Sequence, residues 1–331
     1  MGCPASSRCF ASVAITALPV TPWRGVFIIR PIHDAGAKAG PGKPAGSADP
    51  PPGAAALDTV AGPPPGCRST SGSPRLHRSI PILACLLIAV ATGASASANA
   101  LDAFRAGDWA AVVREGRNES TVDSLILAGR ATLSIAGYQT TQKAQALALV
   151  AEAEADFDKA LARAPGNVDA QLQKAVAIGY RAQLTRGIGL AKEARRRFEA
   201  IRAAHPDNSL AWSALGGWHG GSIAAVGSFL AGTTLGAKRS EMERCYAQAL
   251  KLAPAQPSTR TFYAITLMDL DEDNAARAAA VLKGIENLPA PDGFEALLKR
   301  QGIELAAALA KGDAKAAQAT ARRLKAFARI G

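Results

Sequence analysis

A chain of 331 residues with a net charge of +11 and 20% charged residues is long enough for two domains and basic enough to make nucleic acid a question. In residues 99–331, however, 30 lysines and arginines stand against 24 acidic residues and lie mixed along helical stretches. That is the pattern of solvated helix faces and argues against a phosphate-binding surface.

Residues 1–74 hold 13 of the 20 prolines and no helical periodicity. Runs such as Pro50-Pro51-Pro52 and Pro63-Pro64-Pro65 cannot build a packed core. This stretch is expected to be a disordered extension, or sequence translated ahead of a true start such as Leu76. Residues 75–98 read as a signal peptide. Arg75, His77 and Arg78 precede an apolar run at 80–93, and small residues then offer cleavage sites ending at Ala96, Ala98 or Ala100. The run is short for a bilayer span, so the rival reading is a short signal anchor. A lipoprotein site at Cys85 does not fit its apolar neighbours. Export to a periplasm is expected, with cleavage near Ala98 or Ala100. No nucleic-acid partner is expected, and membrane contact only through the signal peptide.

From Leu101 the chain is alanine-rich and helical. A helix pair turns at Gly107-Asp108, helices follow over 121–136 and 141–164, and a last pair turns at Gly312-Asp313. Alternating strand patterns of useful length do not occur. The fold class is all-α. The lone cysteine of this portion, Cys245, excludes an internal disulfide and is expected to be buried beside Tyr246.

Within 194–221 stand Ala194-x3-Phe198, then Pro206, then Trp212-x2-Leu215-Gly216-x2-His219. The offsets recur. A large apolar residue lies eight before a proline at Phe157/Pro165, Phe198/Pro206 and Tyr246/Pro254, and more loosely at Val281/Pro289. Ala175, Gly216 and Ala264 lie ten after the first three prolines, and Pro165 and Pro206 both open P-x-N-x-x-A. This pattern resembles the tetratricopeptide repeat (TPR), with His219 at the family's Tyr position. It implies a solenoid of antiparallel helix pairs over residues 99–331, capped by its terminal pairs. The prolines are 41, 48 and 35 residues apart, against a family period of about 34. Lengthened middle helices and an extra element in the second spacing are expected. The oversized middle repeats, roughly 171–271, are similar to a bacterial subgroup related to regulator-of-microtubule-dynamics proteins.

In the family, the first helix of each repeat lines a concave groove. The resemblance places that groove at Leu172, Val176 and Tyr180, at Ser213 and Gly217, and at Thr261, Ile265 and Met268. Trp218 and His219 adjoin it in the glycine-dense stretch 216–236, which holds seven glycines. The glycines serve close helix packing or a flexible, pocket-forming insert. The groove set is apolar or small and lacks the family's carboxylate clamp, so the expected partner is an apolar or helical protein segment.

Catalytic constellations do not assemble. His205 and His219 lack H-E-x-x-H spacing, and the glycines at 187–189 and 232–236 lack the strand and partner residues of a nucleotide or nucleophile loop. No cofactor and no metal are expected. The sequence reads as an exported, non-catalytic scaffold for protein–protein interaction. The rival is a small-molecule or lipid-binding accessory protein with a pocket near the glycine-rich insert.

Overall fold

The computed structural model describes residues 99–330; the expected extension and signal peptide lie outside them. Among the described residues there are thirteen helices and no strand. They are α1 (Ala100–Ala106), α2 (Trp109–Glu119), α3 (Val122–Tyr138), α4 (Lys143–Arg163), α5 (Val168–Thr185), α6 (Ile188–Ala204), α7 (Ser209–Val226), the single turn α8 (Ser228–Leu230), α9 (Arg239–Leu252), α10 (Pro257–Leu270), α11 (Ala275–Leu282), α12 (Gly293–Leu309) and α13 (Ala314–Leu324). Consecutive helices pack antiparallel, as in a helical solenoid.

Two rows follow from the distribution of apolar residues. α4, α6 and α9 each bury one narrow stripe: Ala146, Val150, Ala153 and Phe157; Ala191, Ala194, Phe198 and Ile201; Met242, Cys245, Tyr246 and Ala249. The spacings of three and four keep each stripe on one helical face. By contrast α3, α5, α7 and α10 are buried around most of their circumference and form the inner row. Phe157, Phe198 and Tyr246 are fully buried, as are the small residues Ala175 and Ala264. At Gly216 an added Cβ would lie 3.0 Å from the Tyr246 ring, so the helices meet there without room for a side chain.

The proline turns share a hydrogen-bonding scheme. Asn167 Oδ1 accepts from the Ala170 N–H (2.8 Å), and Asn208 Oδ1 from those of Leu210 and Ala211 (3.0 and 3.1 Å). Both are N-caps that satisfy donors the first turn leaves free. The side chain six residues after each proline then donates back to the proline carbonyl: Gln171 to Pro165 (2.7 Å), Trp212 to Pro206 (2.7 Å) and Arg260 to Pro254 (3.1 Å). Three unrelated residue types thus close the same loop.

The long spacings have different causes. α5 and α6 run 18 and 17 residues, which accounts for the 41 residues between Pro165 and Pro206. In the second, α9 has only 14 residues, and the surplus is a separate element between α7 and α9. The fourth register slips by one: Leu282 is buried while Val281 is only partly so, because α11 stops after eight residues at Gly284 (φ 77°).

After α11 the chain folds back onto the inner row. α12 is fastened to the start of α10 by Glu295, which accepts from the Ser258 N–H (2.9 Å), Ser258 Oγ (2.8 Å) and Gln256 Nε2 (3.0 Å). Burial nevertheless raises the Glu295 pKa above the usual carboxylate value. At the other side of α12, Gly293 comes so close to Gly107 that a Cβ there would sit 2.3 Å from the Gly107 Cα. The N-terminal and C-terminal helix pairs therefore touch.

Candidate functional site

The expected groove residues lie on α5, α7 and α10. None of them faces solvent: Leu172, Val176, Tyr180, Ser213, Gly217, Trp218, His219, Thr261, Ile265 and Met268 are all buried. Much of what covers this inner face is the chain's own C-terminal part. Thr261 Oγ1 donates to the Leu298 carbonyl on α12 (2.9 Å), and Gln318 Nε2 on α13 donates to the Met268 carbonyl (2.9 Å). Residues 325–330 then leave the helix and run inward. The Phe327 ring meets the Tyr180 ring edge-on at 4.8 Å, and its N–H donates to the Gly137 carbonyl (2.7 Å). Gln183 Nε2 donates to the Ala326 carbonyl (3.4 Å). Lys325, buried, pairs with Asp269, which Arg322 also reaches at 3.2 Å. The physical reason is the same apolar character that led to the expectation of an apolar partner. Surface of that kind is costly to leave wet, and here the tail removes it from water.

Trp218 and His219 work as clasps. Trp218 Nε1 donates to the Ala191 carbonyl (2.9 Å), and the Arg195 guanidinium lies 5.4 Å from its ring centroid. His219 Nδ1 accepts from the Lys238 N–H (3.2 Å), which leaves the proton of the neutral ring on Nε2. Burial, with the nearby Arg195 charge, lowers the His219 pKa to about 4. Glu241 is close enough to act on it electrostatically, yet its carboxylate is bound by Arg244 at 2.6 Å. Among the described residues no carboxylate is hydrogen-bonded to the His219 ring, whose Nδ1 is committed to the Lys238 N–H. Among the described residues no group of three or more His, Cys, Asp or Glu could hold a metal. Cys245 is fully buried, and burial pushes its thiol up to about 11.

The glycine-dense stretch divides in two. Its first half is inside α7 and is packing: a Cβ at Gly220 would lie 2.2 Å from Thr266 Cγ2 and 3.0 Å from Met242 Sδ. The second half, bounded by Gly227 (φ 81°) and Gly236 (φ 71°), is the extra element. Its C-terminal part, a wide turn at Ala231–Leu235, is pinned. Ala231, Leu235 and Ala237 are buried, and Arg195 Nη1 donates to the carbonyls of Leu235 (2.8 Å) and Gly236 (3.2 Å). Its N-terminal part projects. Phe229 is 83% exposed and Leu230 51%. Sequence reasoning missed these two, although an adjacent aromatic and leucine between Gly227 and Gly232, with no helical stripe to join, were a usable signal.

The projecting turn sits at the end of the molecule where α7 finishes and α6 begins, since Trp218 is level with Ala191. Ile188, 51% exposed, opens α6 at the same end. Arg186, Lys192, Lys238 and Arg239 are exposed there and make no ion pair among the described residues. Two carboxylates adjoin these segments, Glu193 and Glu241, and each is bound by an arginine of its own helix, Arg197 (2.8 Å) and Arg244 (2.6 Å); the exposed Asp271, Glu272 and Asp273 follow α10, which runs parallel to α7. Neither a protein-family model nor any curated protein matches this chain.

Proposed function

We propose that this chain is an exported, non-catalytic helical-repeat protein of the tetratricopeptide type, acting as a periplasmic scaffold for protein–protein interaction. The TPR assignment is supported by the three equivalent proline turns and the buried knobs eight residues before them. The observation that carries the function is the occupation of the inner face by a short, non-helical tail. Residues 325–330 present a cation to Asp269, an aromatic ring to Tyr180 and a backbone N–H to Gly137. A partner segment with an apolar side chain and a nearby cation would find the same acceptors once the tail moves aside.

The test cross-links envelope proteins to the wild-type chain and to Phe327→Ala, with a photoreactive residue at Val176. A partner captured several-fold more strongly by the variant is the expected result. Equal capture by both, or none by either, overturns the groove reading. Export is tested separately, by N-terminal sequencing of native protein from fractionated cells. A periplasmic product beginning near Asn99 or Leu101 is expected, and an intact Met1 start in the cytosol refutes it.

A further inference from the structure

The projecting turn has no task in the scaffold reading, and its construction is specific. Gly227 turns the chain out of α7 with a backbone conformation that L side chains rarely adopt (φ 81°). Arg195, His219 and the buried Ala231 and Leu235 then hold the rest of the insert down. The two apolar side chains at its tip are therefore displayed on an anchored base. Single exposed apolar residues are ordinary. Phe229, Leu230 and Ile188 at one end, the first of them 83% exposed, are three of the five exposed large apolar side chains among the described residues.

Charge specifies what they meet. The same end carries Arg186, Lys192, Lys238 and Arg239 without ion-pair partners among the described residues, while the carboxylates beside them, Glu193 and Glu241, are held by Arg197 (2.8 Å) and Arg244 (2.6 Å). We propose that this end of the domain docks on an anionic lipid surface. Phe229 and Leu230 enter the interfacial region, and the four cations face the headgroup phosphates. A bilayer suits so small an apolar tip, because it needs no complementary shape, whereas a stable protein interface buries about 800 Å² on each partner. Two such ends do not pair with each other, since like charges would face across the contact. No helix among the described residues is long and apolar enough to cross a membrane, so the contact is peripheral. It extends to the folded domain a membrane contact that the sequence reading confined to the leader.

The apolar leader of the full chain can bind lipid by itself, so the test reads position as well as binding. Phe229→Trp and Ile303→Trp are made in the full chain; Ile303 is 40% exposed and lies on α12, away from the insert. Each is mixed with vesicles of phosphatidylcholine alone or with phosphatidylglycerol, both containing brominated acyl chains that quench tryptophan. Quenching of the added tryptophan at 229 but not at 303, and only with phosphatidylglycerol, is expected. Phe229→Ser/Leu230→Ser lowers vesicle partitioning by about tenfold or more. Lys238→Gln/Arg239→Gln lowers it by about tenfold or more and flattens its salt dependence. Both pairs are exposed or partly exposed, and an unchanged circular dichroism spectrum verifies folding. Equal quenching at both positions, or none at 229, overturns the proposal. So does self-association that the tip double variant abolishes while vesicle binding is unchanged.

Discussion

Phe327 is a non-glycine residue with φ 62°, a ring 6% exposed and an N–H bound to Gly137. Two substitutions separate these features. Phe327→Ala removes the ring from against Tyr180 and should cost about 3 kcal/mol or more of stability. Phe327→Gly removes the same ring but also releases the left-handed backbone, which burdens an L residue by about 1–2 kcal/mol. Glycine gives back about 0.5–1 kcal/mol through its freer unfolded chain. The glycine variant should therefore be the more stable of the two, by about 0.5–1 kcal/mol. Urea unfolding followed by tryptophan fluorescence and circular dichroism gives the order: wild type, then glycine, then alanine. An alanine variant as stable as the glycine one would show that residue 327 is not held left-handed. If neither variant lost more than about 0.5 kcal/mol, below the usual cost of emptying a buried aromatic site, the tail would not be seated on the inner face.

Two further predictions concern the core. His219 has its pKa lowered to about 4 by burial, so the unfolded chain takes up its proton first as pH falls. The stability due to neutral His219 is complete above about pH 6.5 and lost toward pH 4, a change on the order of 3 kcal/mol. His219→Gln should show a correspondingly smaller fall in urea midpoint between neutral and acid pH; identical slopes would refute the assignment. At Gly220, an alanine methyl collides with Thr266 and Met242, and Gly220→Ala should destabilise by about 1–3 kcal/mol. Gly189→Ala, in the first turn of α6 with open space around it, should stabilise by about 0.5–1 kcal/mol. Thermal melts that place both changes on the same side of wild type would contradict the packing described.

What could be read from the sequence was whatever repeats locally. Phe157, Phe198 and Tyr246 stand eight residues before a proline because each is the knob of an outer helix nearly two turns before it ends. The fourth register slipped where α11 is cut short, and Gly284, three residues after Val281, was the available signal for that stop. The filling of the inner face was illegible for a different reason. Phe327 binds Gly137, and Lys325 binds Asp269, across stretches of chain in which nothing is periodic. Residues placed by the repeat offsets lie on α5, α7 and α10, and their apolar, small character, read as fitting a partner, suits the chain's own tail equally. In the insert, glycine density alone could not distinguish the packed half from the displayed half; only the contacts of Gly220 and the φ of Gly227 separate them.

The approach of Gly107 to Gly293, with Tyr138 and Phe294 edge-on at 6.4 Å nearby, bears on how the molecule comes apart. In an open stack each terminal pair holds only one neighbour and can peel away while the rest persists. Here the first pair cannot peel without exposing the last, and the last carries the tail that fills the middle. Fraying from either end is coupled to loss of the whole core. Hydrogen exchange should accordingly show α1 and α12 opening together, with protection close to that of α7, rather than a gradient that declines outward.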